Sequence, residues 1–212
     1  MLSALAGPLA PYRVILASQS PRRLELLTDC GLRFEVIPST FEENLPKERF
    51  ASPEHYVIEN ARLKALEVLE RVIPSNAEAP HLVIGCDTVV VHDGVILEKP
   101  RDEQDAFDTL TKLSNRTHDV YSGVALFTSP LGKESPHLFF EKTTVTFGPL
   151  QAKDILEYIK TGEPMDKAGS YGIQGRARCF VSGLQGCYNN VMGFPVQRFM
   201  KELGELVEKN AV

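Results

Sequence analysis

The chain has no stretch approaching the roughly 18 uninterrupted apolar residues that a membrane-spanning helix needs. Its opening segment, Met1 to Pro11, lacks the basic start of a secretory signal and is broken by Gly7, Pro8 and Pro11. Neither a membrane partner nor export is expected. Cysteine is scarce and unpatterned. Cys30, Cys86, Cys179 and Cys187 form no CxxC pair and no zinc spacing with the five histidines. A disulfide scaffold and a structural zinc module are thereby excluded, and ordinary reduced thiols in a cytoplasmic compartment are expected. Positive charge is in deficit: 23 Lys and Arg against 28 Asp and Glu give a formal net charge of −5. That is the wrong sign for bulk nucleic-acid binding, although a locally basic pocket is compatible with it. Repeats and low-complexity tracts are also missing, and the most linker-like join is the Pro/Ser/Ala-rich stretch from Ile73 to Pro80.

What remains is ordinary globular material. With 212 residues, 43% hydrophobic and 24% charged, the chain can bury a proper core as one large domain or two small lobes. Strand-like and helix-like segments alternate. The spacing predicts strands at Arg13–Ala17 and Arg33–Ile37 and helices at 21–29 and from Pro53 to about Arg71. Leu82–Val91 reads as a strand turning at His92-Asp93-Gly94 into Val95–Leu97. A helix over 102–113 follows, then two long strands, 118–128 and 138–147. A helix at 150–160, a short strand at 179–182 and a closing helix at 195–209 complete the reading. Strands interleaved with helices and hairpins indicate an α/β fold with a mixed twisted sheet and flanking helices.

Three stretches carry chemistry. In Ala17-Ser18-Gln19-Ser20-Pro21-Arg22-Arg23 a strand ends and a helix begins with two arginines in its first turn. Cations are unfavourable there unless an anion arrives to meet them and the exposed N–H groups. The blander alternative is a Ser20 N-cap with two solvated arginines. In Val83-Ile84-Gly85-Cys86-Asp87-Thr88 an acid ends an apolar strand, where it can hold a divalent cation or deprotonate water, or merely cap a turn. Glu98-Lys99 follows as a catalytic acid–base pair or a surface ion pair. The stretch from Glu163 to Gly175 has neither helical nor strand period but combines Asp166-Lys167 with Gly169, Gly172, Gly175 and Gln174. Such loops are commonly functional, and a glutamine there can read a base edge. It is not GxGxxG, so the dinucleotide fingerprint does not apply. Glu42-Glu43 in a loop and Lys64 on the long helix complete the candidates.

Taken together, Leu16-Ala17-Ser18-Gln19-Ser20-Pro21-Arg22-Arg23, Ile84-Gly85-Cys86-Asp87-Thr88, Glu98-Lys99-Pro100 and Pro164 to Gly175 resemble the Maf family of nucleoside triphosphate pyrophosphatases, over Val14 to about Met200. The resemblance implies an inosine-triphosphatase-like α/β fold, two lobes around a cleft in a single domain over 1–212, with 1–12 as a loose N-terminal extension. It implies hydrolysis of a nucleoside triphosphate to the monophosphate and pyrophosphate with Mg²⁺, Mn²⁺ or Co²⁺, as a house-cleaning activity. The alternative is a nucleotide-binding regulator of cell division without turnover, since the family is linked to septum formation. Asp87, Lys99 and Glu43 fall on catalytic positions. Ser18, Ser20, Arg22, Arg23, Lys64 and Lys167 fall on phosphate-binding ones, and Asp87, Glu43 and Asp166 on metal-holding ones. A homodimer is compatible with the resemblance, though no heptad or apolar stripe indicates it. Cys86 stands where the family usually has Ala or Ser.

Base preference is implied by three further positions, Arg22, Thr88 and Gln174, where the family's 7-methyl-GTP branch tends to carry Trp, Gln and Glu. Trp would stack on a cationic purine and Glu would accept from guanine N–H groups. Gln offers a paired donor and acceptor that suits uracil or thymine. The resemblance therefore implies dTTP and UTP as substrates, with 7-methyl-GTP or ITP as the alternatives.

Overall fold

The computed structural model describes residues 2–74 and 79–212. Met1 and residues 75–78 of the expected Pro/Ser/Ala-rich join lie outside the described residues. Seven strands form one mixed sheet: β1 (Arg13–Ala17), β2 (Glu35–Val36), β3 (His81–His92), β4 (Val95–Leu97), β5 (Thr117–Thr128), β6 (His137–Phe147) and β7 (Val181–Gln185). Their order is β2-β1-β3-β5-β6-β7, with β4 paired to β3. β1 runs parallel to both β2 and β3, whereas β3–β4 and β6–β7 are antiparallel. The helices are α1 (Leu2–Leu9), α2 (Pro21–Asp29), α3 (Pro53–Val72), α4 (Glu103–Leu113), α5 (Ala152–Ile159), α6 (Tyr188–Met192) and α7 (Val196–Glu208). No described helix is long and apolar enough to cross a membrane.

The chain divides into two compact units. The first comprises Met1–Asp87, Ser122–Glu141 and Gly193–Val212; the second comprises Thr88–Tyr121 and Lys142–Met192. In the first, α3 turns Ala61, Ala65 and Val68, about one helical turn apart, onto Ile15, Val83, Ala125 and Phe127. The contact depends on missing side chains. A Cβ at Gly85 would lie 2.2 Å from the Ala61 carbonyl oxygen, and one at Gly123 would lie 2.4 Å from the Val57 carbonyl. In the second unit, Leu110 and Leu113 of α4 and Ile155 and Ile159 of α5 close over Phe147, Tyr171 and Phe180. The Phe147 and Tyr171 rings meet edge to face with centroids 4.9 Å apart. His118 is buried in this core, sharing a 2.8 Å hydrogen bond with Tyr171 Oη. Burial and the neighbouring His92 push its pKa down to about 4, against a smaller opposing effect of Asp119.

Five expectations change. The strand expected over 179–182 begins only at Val181 and runs to Gln185, because Cys179 and Phe180 belong to a 3₁₀ turn. The segment read as a loose extension holds α1, whose Leu5 and Leu9, one turn apart, are buried, and α1 packs beside α7. The strand expected over 33–37 shortens to Glu35–Val36. The irregular stretch from Glu163 is wound into 3₁₀ turns at Glu163–Asp166 and Ala168–Ser170, followed by one at Arg176–Phe180. Gly162 in the left-handed region and Pro164 in the first turn start this sequence of turns. Asp87 does not end a strand. β3 continues five residues beyond it to His92, but β1 accompanies β3 only as far as Ala17 opposite Gly85. Asp87 therefore lies past the edge of the parallel pairing, and its environment resembles a strand end for that reason.

Candidate active site

In the first unit, the close approach of α3 to β3 at Gly85 places Lys64, nearly one turn beyond Ala61, beside Asp87. Both side chains are buried, with exposures of 10% and 8%, and Lys64 Nζ donates to Asp87 Oδ1 at 2.8 Å. The same ammonium lies 2.9 Å from Glu43 Oε2, whose side chain is 54% exposed. A buried cation shared by two acids is thus built from a helix, a strand and a loop. Burial of this kind is stable only when the charges are paired.

The loop that delivers Glu43 is fastened to α3 by Glu67. Its Oε2 accepts from Ser39 Oγ at 2.9 Å and from the Thr40 amide at 3.0 Å, and its Oε1 accepts from Thr40 Oγ1 at 2.9 Å. Arg71 donates to Glu67 at 2.6 Å and to the Pro38 carbonyl at 2.8 Å. Burial works to raise the Glu67 pKa, but the bonds from Arg71, the Thr40 amide and the two hydroxyls together hold it down at about 2. The local sequence shows Glu67 only as one half of an i,i+4 pair with Arg71; the loop residues it fastens are 27 and 28 positions away.

The arginine turn is also anchored at long range. Ser18 Oγ accepts from the Ser20 amide and from Arg23 Nη1, both at 3.2 Å, and Arg23 Nε donates to the Gly193 carbonyl at 2.8 Å. Ser20 occupies the N-cap position of α2, but its side chain makes no capping hydrogen bond, and Pro21 fills the first turn. Among the described residues, the half-buried Arg22 forms no ion pair. Cys86 is buried and its Sγ donates to the Gly193 carbonyl at 3.5 Å; a small side chain is what this position between β3 and Gly193 admits.

The second unit holds the remaining candidates. Thr88 follows Asp87 directly on β3, and Lys99 is exposed on the segment after β4 and forms no ion pair among the described residues. The Glu98 carbonyl accepts from the Gly169 amide at 3.1 Å, which ties that segment to the Asp166-Lys167 turn. Lys167 Nζ donates to Asp166 Oδ1 at 2.6 Å and to the Glu163 carbonyl at 2.7 Å. Gln174 is half-buried, and its carbonyl accepts from Arg178 Nη2. Within the units, then, three groupings form: Glu43–Lys64–Asp87, Ser18–Ser20–Arg23, and Asp166–Lys167. Among the described residues, no three His, Cys, Asp or Glu side chains gather closely enough to hold a metal ion by themselves.

The sequence profile of the family described as Maf-like protein matches residues 13–206. The chain belongs to the Maf-like family. All the groupings above fall inside the Maf-like region. A probable bifunctional dTTP/UTP pyrophosphatase/methyltransferase protein of Homo sapiens is 46% identical over 210 residues, which is 97% of this chain but 34% of that protein. The dTTP/UTP pyrophosphatase of Agathobacter rectalis is 46% identical over 202 residues, covering 92% of this chain and 97% of the relative. That of Clostridium perfringens is 46% identical over 191 residues, covering 90% and 95%. The chain therefore spans about a third of the human relative's length and almost the whole of the bacterial ones. The mixed sheet with flanking helices agrees with the Maf-like fold.

Proposed function

We propose that this Maf-like chain is a nucleoside triphosphate pyrophosphatase that cleaves dTTP and UTP between the α- and β-phosphates, giving the monophosphate and pyrophosphate. The names of its relatives support the substrate class, and the buried Lys64–Asp87 pair with Glu43 at its solvent side is the observation that carries the chemistry. Asp87 is the residue that orients and deprotonates the attacking water. Lys64 compensates the two carboxylates and, when a polyphosphate arrives, offers its ammonium to the phosphate oxygens. Arg22, Arg23 and Ser18 at the start of α2, and Lys99 and Lys167 in the second unit, bind the phosphate chain. Arg22 and Lys99 suit that task because no carboxylate among the described residues already neutralises them.

The donor chemistry of the grouping also fits a divalent cation. Glu43 and Asp87 present hard carboxylate oxygens converging on one positive charge, and Mg²⁺ or Mn²⁺ is commonly held by one or two carboxylates with water and substrate phosphates completing the shell. Glu43 and Asp87 would hold it. When bound, such an ion neutralises phosphate charge and acidifies water.

Gln174, Thr88 and Arg22 set the base preference. A Gln side chain pairs one acceptor and one donor with the N3–H and O4 of uracil or thymine, so Gln174→Glu weakens UTP use by roughly 1–3 kcal/mol. The deciding experiment compares kcat/KM for dTTP, UTP, 7-methyl-GTP, ITP and dGTP with Mg²⁺, Mn²⁺ or Co²⁺ while identifying both products. Pyrophosphate release with dTTP and UTP preferred is expected. Orthophosphate release, or binding without turnover, overturns the reaction; preference for a purine triphosphate overturns only the base assignment.

A further inference from the structure

The Glu163 carboxylate has no part in the chemistry above, yet the glycine-rich stretch is built around it. Tyr158 Oη donates to Glu163 Oε1 at 2.9 Å, and the Arg176 amide donates to Oε2 at 3.0 Å. Tyr158 Oη in turn accepts from the Gly172 amide at 3.1 Å. The carboxylate lies against the backbone so closely that a Cβ at Gly175 would be 2.0 Å from Oε1 and 2.5 Å from Oε2. A Cβ at Gly172 would be 3.2 Å from the same Oε1 and 2.7 Å from Lys167 Cε. Gln174 is therefore suspended between two backbone points, 172 and 176, that this carboxylate and Tyr158 hold. Through its main-chain carbonyl, Glu163 also accepts from Lys167 Nζ. Its outer side borders a polar cavity of about 410 Å³ lined by Glu157, Lys160, Thr161 and Arg176, so the charge is not stranded in apolar surroundings.

We infer that Glu163 is a positioning residue for base selection: it fixes the backbone on either side of Gln174 and so the orientation in which that amide meets the pyrimidine. The inference rests on the proposal that Gln174 reads the base. The need for a carboxylate follows from the donor count. Tyr158 O–H and Arg176 N–H both point at Glu163, so both oxygens must accept. A glutamine would turn an N–H₂ group toward one of these donors and leave it without an acceptor.

The test measures kcat and KM for UTP and for ATP with the full chain carrying Glu163→Gln, Tyr158→Phe, Gln174→Ala, and Glu163→Gln combined with Gln174→Ala, alongside thermal melts. For Glu163→Gln the expected result is a roughly tenfold rise in KM for UTP with kcat changed less than about threefold, and an equal loss of preference over ATP. Tyr158→Phe shifts the preference in the same direction, which keeps the test decisive if Glu163→Gln fails to fold. In the Gln174→Ala background, Glu163→Gln changes the preference no further. Equal losses for UTP and ATP, or a further change of preference in the double variant, overturns the positioning role. Retention of UTP preference by Gln174→Ala alone overturns the base-reading proposal itself, a separate outcome.

Discussion

Lys64 is the residue whose environment constrains the most. A buried acid and an exposed one compensate it, and the consequences of removing one partner differ sharply from those of removing the cation. Asp87→Asn keeps the shape and leaves Glu43 facing the ammonium, so the expected change is kinetic: a loss on the order of 10²-fold or more in kcat with a nearly unchanged melting midpoint. Steady-state kinetics beside a thermal melt checks this, and near-normal turnover would return Asp87 to a purely structural ion pair. Lys64→Met has the opposite signature, since it strands the buried Asp87 carboxylate without its cation; removing one partner of a buried pair typically costs about 3–5 kcal/mol, readable in urea unfolding. The motif around Asp87 was legible in the sequence. Its partner was legible only through the family resemblance, because Lys64 lies 23 positions away on a helix whose own pattern assigns it to a solvated face. Glu67 and Glu163 escaped altogether: a carboxylate that accepts from loop amides looks, residue by residue, like any surface acid.

Among the elements, α3 and β3 matter most, and what sets their separation is a hydrogen atom where a methyl would be. Gly85→Ala forces a Cβ to within 2.2 Å of the Ala61 carbonyl, so helix or strand must move. Overpacking of this kind costs about 1–3 kcal/mol. Because Lys64 rides on the same stretch of α3, the urea midpoint and kcat are expected to fall together. A stable but inactive variant, or an active one of lowered stability, would separate the two effects and contradict the shared cause. The helix itself was legible from Ser52-Pro53 and its apolar spacing, and it runs Pro53–Val72 as read. The glycine's role was not, since an apolar strand run hides which of its members faces a helix backbone. The stretch from Glu163 defied prediction for a related reason. Its turns are held by side chains from elsewhere, by Tyr158 and by Glu163 itself, rather than by a repeating pattern of its own.

At the scale of the whole molecule, each compact unit carries its own acid sensitivity. In the second, an unfolded His118 takes up its proton near pH 6.5 and the folded one only near pH 4. The stability it contributes is complete above pH 6.5 and is lost as pH falls to about 4, in total about 3 kcal/mol. In the first, Glu67 moves from 4.5 in the unfolded chain to about 2 in the folded protein, so its contribution is complete above pH 4.5 and is lost between there and pH 2. Urea midpoints across both windows are expected to fall in two stages, with His118→Gln flattening the upper and Glu67→Gln the lower. A wild-type midpoint that does not change as pH is lowered from 6.5 toward 4.5 would contradict the His118 assignment. The α/β class and nearly all the long elements were legible because their patterning is local; two lobes were expected from length and from the resemblance, but which segments make up each unit was not legible, because each is stitched from separated stretches. That stitching has a consequence for synthesis. The carbonyl that receives Arg23 and Cys86 belongs to Gly193, which is translated 170 residues after Arg23. The arginine turn is thus synthesised well before the carbonyl that locks it. Until residues 193–212 emerge, the nascent first unit exposes an unfinished core, and a translational pause or premature stop in that interval would present it to chaperones and proteases while the second unit's sequence is already complete.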